Sequence, residues 1–371
     1  MHLLTPKRHK PTIQQEMKKH SILIISITLI VLAAATSIAL FDHSHHDENA
    51  KFDAKETIFD HLIDHYSWEV PFSHSHKIAL PIIVQDDKGG WHCFMSSKIE
   101  HGETYDGFFI DQSEAHHGKV VGTNEQGEVY RPIDISITKN VAALFITVIV
   151  ICLCIFPLVR WYKNNGKKAP TGFAGAIEML TCMVYDDVIK SILGPEKGRR
   201  FAPYLLTAFY FIFVSNLMGL MVIFPAGANL TGNLAITMVL AICTFLAVNI
   251  FGTKEYWKEV FWPDVPMFLK APLPIMPFIE IFGVFTKPIA LMVRLFANMM
   301  GGHMIVLVLL SLIFIFKEMG GVAVAGGTTV LSVGFSLFMY IIDTLVSYIQ
   351  AYVFTMLSTI FISLAQVEHH H

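Results

Sequence analysis

A guanidinium stays protonated at every physiological pH, and Arg294 carries one in the apolar stretch LMVRLFANMMGGHMIVLVLLSLIFIF. Placing it at membrane depth costs at least ~2.5 kcal/mol on insertion scales. A chain accepts that cost where the charge meets a protein partner or trapped water. A permanent cation in a membrane is suited to controlling anionic groups that gain and lose protons. Apart from the pair Lys317-Glu318, the neighbouring apolar segments hold few other ionisable groups: Glu280, Lys287, His303 and Asp343. Glu280, Lys287, Arg294 and Gly301 repeat every seven residues, nearly over one another on a helix. Asn298, four beyond Arg294, joins that face. A polar stripe ending in a small residue suits a surface that meets another protein, with Gly301 and Gly302 allowing close approach.

His303 lies nine residues beyond Arg294, which puts the two on opposite sides of the helix unless the glycines distort it. Asp343, Ser347 and Gln350 follow at i, i+4 and i+7 and share a face. His303 and Asp343 are the groups able to exchange protons. Gln350 cannot ionise but can hydrogen-bond a guanidinium or a carboxylic acid. Each residue also has a plainer reading. Arg294 and Lys287 could snorkel to an interface. His303 could be a packing histidine, Asp343 the neutraliser of a neighbouring cation, and Gln350 interhelical glue. Glu280 could complement a helix dipole.

The elements that must position these groups are membrane helices. The chain has 371 residues, 53% hydrophobic and 15% charged, whereas soluble domains carry about 25% charged residues. The net charge of −3 leaves no basic field for nucleic acid. The five cysteines show no CxxC or zinc spacing and read as apolar filler. Residues 1–20 are basic and 21–41 apolar with small residues at Ala33 to Ala35, the order of a signal peptide or an N-terminal anchor. Either sends residue 42 onward across the membrane.

Residues 42–139 form a polar, His-rich extracytoplasmic segment with short strand-like runs broken by DDKGG and NEQGE turns. Its clusters HSHH at 43–46, HSH at 74–76 and HH at 116–117 read as solvated polar surface rather than a metal site. The membrane region covers 140–368. Residues 141–161, 203–224 and 233–252 are spans, and the basic loop from Tyr162 to Arg200 marks the inside. Within that loop GFAGAIEMLTCMVYDDVIKSIL reads as an amphipathic helix on the surface. Segments 274–316 and 322–366 each exceed 40 residues, roughly twice what a bilayer needs. We read them as two long tilted helices in a hairpin turning near Lys317-Glu318 and Gly320-Gly321. The fold class is therefore an all-α polytopic membrane protein. It has about five membrane helices, a small partly β N-terminal segment and a cytoplasmic C-terminus.

The segment KPIALMVRLFANMMGGH, Lys287 to His303, resembles the signature of subunit a of the F-type ATP synthase, the stator half of its proton channel. So does SYIQAYVFTMLSTIFISLAQVE, with Gln350 in the expected place. APYLLTAFYFIFVSNLMGL, TGNLAITMVLA and ISITKNVAALFI extend the likeness over roughly 134–368. The resemblance implies a non-catalytic subunit in the cell inner membrane with no cofactor. Its implied partners are a ring of c subunits, a b-subunit peripheral stalk, the rest of the complex and lipid. It implies that Arg294 faces the ring and that two aqueous half-channels serve the ring carboxylates. His303 and Asp343 would relay protons, with Asn298 and Glu280 beside them and Gln350 near Arg294. Lys287, Arg294, Asn298 and Gly301 would form the rotor-facing stripe. Bacterial members often carry Glu where His303 stands and His where Asp343 stands; the exchange seen here resembles mitochondrial members. The segment 42–139 lies outside the resemblance. No GxxxxGK[ST] sequence is present, so this chain makes no ATP itself. A secondary cation/proton transporter is the competing reading; it would require an internal repeat, and the Arg motif has no second copy. A haem subunit would require two facing intramembrane histidines, and only His303 lies in a span.

Overall fold

The computed structural model describes residues 64–69, 77–99, 103–111, 113, 118–124, 128–166, 168–220, 229–262 and 275–366. The basic and apolar segments at 1–41 and the three histidine clusters lie outside the described residues. The architecture is a helical membrane bundle with a small β domain seated on one end.

The β domain is built from short strands whose alternate residues turn toward its core. β1 (Ser67–Glu69) pairs antiparallel with β2 (Lys77–Ala79). β3 (Pro81–Gln85) is the centre of a sheet whose edges are β4 (Trp91–Met95) and β8 (Ile133–Asp134). β5 (Phe108–Asp111), β6 (Lys119–Thr123) and β7 (Val129–Tyr130) make a second sheet. Ile82, Val84 and Phe94 from the first and Phe108 and Val120 from the second close a core with Tyr66 and Ile99.

The first span, α1 (Lys139–Asn165), begins directly after the last strand. Thr138 makes no side-chain cap bond. The β domain supplies the cap instead: Asp64 Oδ1 accepts from the Asn140 amide at 3.1 Å, and the His65 carbonyl from the Lys139 amide at 3.0 Å. Below that cap, Trp68 packs with Ala143 and Leu230.

α2 (Phe173–Met183) passes through a π-helical turn, Val184–Lys190, into α3 (Ser191–Leu220). A kink at Gly194, with φ 78°, bends the junction; glycine adopts that angle without a Cβ penalty. Sequence reading laid α2 on the membrane surface; in the structure one side of it packs on the bundle, while Phe173 and Met179 stand exposed. Its Ile177, with Val184 and Ile189 of the π turn, joins Phe209 and Tyr210 in the main core. A helix amphipathic toward lipid and one amphipathic toward other helices share one pattern, so the sequence alone does not separate them.

α4 (Leu234–Ile250) starts at Asn233, whose side chain accepts from the Ala235 amide. α5 (Lys254–Phe261) follows at a bend of 104°. α6 runs from Ile275 to Ala365, 91 residues. Straight, it would be about 136 Å long. It folds back instead, because a Cβ on Gly302 would sit 3.0 Å from Asp343 Oδ1. Its limbs, Met276–Val306 and Gly327–Ala365, are both membrane-length, the hairpin expected from the sequence. At about 46 and 58 Å each exceeds the ~30 Å hydrocarbon core, so both must tilt. Among the described residues four helices are long and apolar enough to cross a membrane, five if α4 and α5 count as one bent span.

Polar pins hold the bundle in register. Tyr204 of α3 bonds Thr244 of α4 at 2.8 Å, and Thr244 reaches Ser358 of the second limb at 3.4 Å. Lys197 Nζ donates to the Gln366 carbonyl at 3.0 Å, and the Thr253 amide to that of Ala365 at 2.9 Å.

Candidate functional site

The first limb of α6 buries Leu291, Leu295 and Met299 against the bundle. Arg294 stands at the edge of that buried face and is exposed. Val293, beside it, is 48% exposed. Arg294 has no hydrogen bond, ion pair or ring contact among the described residues. The guanidinium thus projects from an apolar surface, and nothing within the described chain neutralises it.

Behind that edge lies a narrow polar cleft. Asn298, Met299, Gly302 and His303 of the first limb line one wall, Asp343 and Ser347 of the second limb the facing wall, and Leu220 of α3 its end. It is small and partly open, with room for about one water molecule. Gly302 sets the distance across it. Its missing side chain admits the Asp343 carboxylate to about 3 Å from where a Cβ would stand. Asp343 Oδ2 is buried with no hydrogen-bond partner among the described residues. Ser347 spends its own hydroxyl on the Asp343 carbonyl at 2.7 Å, so it does not satisfy the carboxylate. A buried carboxyl oxygen without a donor is open to a hydrogen bond from a polar group or water that enters the cleft.

The structure therefore brings His303, Asp343 and Asn298 together. It does not bring Arg294, Glu280, Lys287 or Gln350 into that cleft. Lys287 leans inward, its Nζ 5.8 Å from the centre of the Phe361 ring. Glu280 faces α5 closely enough for its charge to act on Tyr256. Gln350 is half-buried two turns beyond Asp343, its Oε1 without a partner among the described residues. The sevenfold stripe read from the sequence is thus divided. Arg294 is open, Lys287 and Asn298 turn toward the second limb, and Gly301 is half-buried.

Sequence reasoning missed one lining residue of the cleft and one buried polar pair outside it. Leu220 closes the cleft from another helix, and nothing in its apolar surroundings marks it. Asn216, 2% exposed, accepts a hydrogen bond of 2.5 Å from Thr231, with Ser215 buried beside it. The Ser-Asn pair inside the uncharged run 203–224 was the available signal. Among the described residues no group of three His, Cys, Asp or Glu side chains is placed to hold a metal ion.

Sequence comparison places this geometry in a known setting. Residues 141–363 match the family described as ATP synthase A chain. Residues 57–140 match a domain of unknown function, DUF8433. The ATP synthase subunit a of Chlorobium phaeobacteroides is 38% identical over 287 residues, covering 73% of this chain and 78% of the relative. That of Pelodictyon phaeoclathratiforme is 40% identical over 259 residues, covering 66% and 72%. That of Myxococcus xanthus is 37% identical over 246 residues, covering 64% and 76%.

Proposed function

The chain belongs to the ATP synthase A chain family, and from that premise we propose that Arg294 is the fixed charge against which the carboxylates of a rotating c ring lose and regain protons. As a family member the chain is a multi-pass membrane subunit of the F-type ATP synthase, a non-catalytic part of that complex. The finer reading is physical. A ring carboxylate must be neutral to face lipid, because a bare carboxylate in hydrocarbon is prohibitively costly. It ionises only beside an opposite charge, which favours its charged form. The same fixed cation bars protons from passing straight between two offset half-channels, so they cross by riding the ring. A potential of 100 mV supplies ~2.3 kcal/mol per proton, and several protons are needed for each high-energy bond.

The observation that carries this reading is the exposed guanidinium of Arg294, without a partner among the described residues, at the edge of a membrane-length helix. The cleft of Asn298, His303 and Asp343 supports a relay on one side of it. Glu280, near the start of the first limb, suits the other half-channel, and Gln350 suits a neighbour that steadies the arginine. Gly301 and the small-residue edge suit close approach of the rotor. In this reading the β domain of 42–139 is extracytoplasmic, the C-terminus is cytoplasmic, and 140–368 is the channel domain. Residues 1–41 direct or anchor the chain, and the host membrane is the cell inner membrane. A b-subunit stalk holds the subunit against the ring's torque.

The test is Arg294→Ala in the assembled complex. ATP-driven proton pumping into inverted vesicles should vanish while the complex still assembles. Near-normal pumping would reject the assignment.

A further inference from the structure

Residues 57–140 match a domain with no assigned function, yet a large side chain of that domain is packed into the bundle. Trp68 of β1 rests on Ala143 of α1 and on Leu230, and all three are buried. Trp68 stands apart from the domain's own core around Ile82, Val84 and Phe108, so its ring serves the junction. Leu230 belongs to a tight turn leading into α4. The Asn233 amide donates to the Leu230 carbonyl at 3.1 Å, and the Gly232 amide to Asn229 Oδ1 at 2.8 Å. Thr231, the next residue after Leu230, donates its hydroxyl to Asn216 Oδ1 of α3 at 2.5 Å. Both partners of that bond are buried. An amide inside an apolar bundle costs free energy unless it is bonded. Here the bond comes from a turn held under Trp68.

The same bond lies close to the polar cleft. Asn216 precedes Leu220 by four residues, so the two share a face of α3 about 6 Å apart along its axis. Leu220 closes the end of the cleft lined by Asn298, His303 and Asp343. Met218, between them, meets the Thr147 hydroxyl of α1 at 3.5 Å, so α1 grips this stretch of α3 as well. Ser215, beside Asn216, has a buried hydroxyl without a partner among the described residues. It gives the Asn216 amide an alternative bond if Thr231 withdraws. Trp68, Leu230, Thr231, Asn216 and Leu220 therefore form a line of neighbours from the β domain to the cleft.

We propose that Trp68 is a positioning residue for the proton relay, and that the β domain acts on the relay through it. By pressing on Leu230 it keeps Thr231 bonded to Asn216, which holds the amide dipole and the last turn of α3 in place beside the cleft. The inference rests on the reading of that cleft as a relay. Without the ring a cavity opens at the junction, the turn loosens, and Asn216 exchanges its donor for Ser215 or water. The test is ATP-driven proton pumping into inverted vesicles, normalised to assembled complex. Trp68→Ala should slow pumping by about threefold or more, and Trp68→Phe, which keeps a ring at the junction, should recover most of that loss. Thr231→Val removes the hydroxyl at constant shape and should slow pumping by a similar factor. Both changes act at one hydrogen bond, so the double variant should be no slower than the slower single variant, whereas losses at independent sites multiply. Hydrogen exchange at the Gly232 and Asn233 amides of the complex should quicken by about fivefold or more in Trp68→Ala. Normal pumping by Trp68→Ala overturns the proposal, and so do multiplying losses or unchanged exchange. Loss of assembly in Trp68→Ala with normal pumping by Thr231→Val makes the tryptophan merely structural and overturns it too. Failure of the underlying relay reading is seen separately, as normal pumping by Arg294→Ala or His303→Glu with Trp68 intact.

Discussion

His303 and Asp343 share one cleft, so a change at either alters the electrostatics of the other. His303→Glu would set two carboxylates against each other across the Gly302 gap, and like charges at that range oppose ionisation of both. In the proposed relay it should slow proton pumping by about tenfold or more, the scale of losing a positioned acid or base. Adding Asp343→His restores one acid and one base within the cleft and should recover most of that loss. Equal pumping by the single and double variants would show that the two residues do not act together. Gly302→Ala tests the gap itself. Its methyl meets Asp343 at 3.0 Å, so the carboxylate must shift by a few tenths of an ångström, and pumping should fall while assembly persists. Unchanged pumping would mean the spacing is not critical. The i, i+4 relation of Asp343 and Ser347 was legible in the sequence, and so was the chemistry of His303. Their meeting was not: nine positions of helix separate His303 from Arg294, and only the close approach of the second limb at Gly302 shows which wall the histidine joins.

The start of α1 owes its cap to a residue 76 positions earlier. Removing such a cap costs about 1 kcal/mol. Asp64→Ala should therefore speed hydrogen exchange at the Lys139 and Asn140 amides by about fivefold, with the rest of the bundle unaffected. Unchanged exchange would show that the His65 carbonyl and solvent suffice. The β domain also carries a built-in alkaline limit. Burial, and then the hydrogen bond to Asp134, push the Tyr66 hydroxyl well above its ordinary range. Burial and the 2.7 Å bond to Asp86 push Tyr130 up to about 12. Both values are raised on folding, so the stability they contribute is complete below the unfolded tyrosine value near ~10. It is lost as pH climbs through 10 toward 12 and beyond. Tyr66→Phe gives up a hydrogen bond worth about 1 kcal/mol at neutral pH. It should flatten the alkaline limb of an unfolding curve followed by near-ultraviolet circular dichroism. An equally steep limb would assign the alkaline loss elsewhere. The hairpin of α6 was readable from length alone, because two apolar segments of more than 40 residues have few ways to fit a bilayer. The domain's antiparallel register was not, since its strands are two to five residues long and pair across loops that local propensity does not specify.

Among the described residues, exposed apolar surface differs from helix to helix in what it carries. One stretch holds Arg294 and Val293 on the first limb of α6; another is the exposed side of α1, with Phe145, Ile149 and Phe156. Composition identified a membrane protein, but it could not divide lipid-facing from partner-facing surface, because hydrocarbon and a partner helix are equally apolar. The difference lies in what each surface contains. Hydrocarbon cannot neutralise a guanidinium, so in the proposed reading the α6 edge meets an acidic neighbour, whereas α1 carries no charge from Val141 to Val159 and requires none. That asymmetry makes a directional prediction. Val293→Cys and Phe156→Cys are exposed to similar degrees, the parent residues at 48% and 62%. With single cysteines placed around the ring carboxylate in the assembled complex, oxidation should join the ring to position 293 and leave position 156 unlinked to it. A ring cross-link at 156, or none at 293, would mean that the rotor runs along the other side of the bundle and that Arg294 serves a different partner.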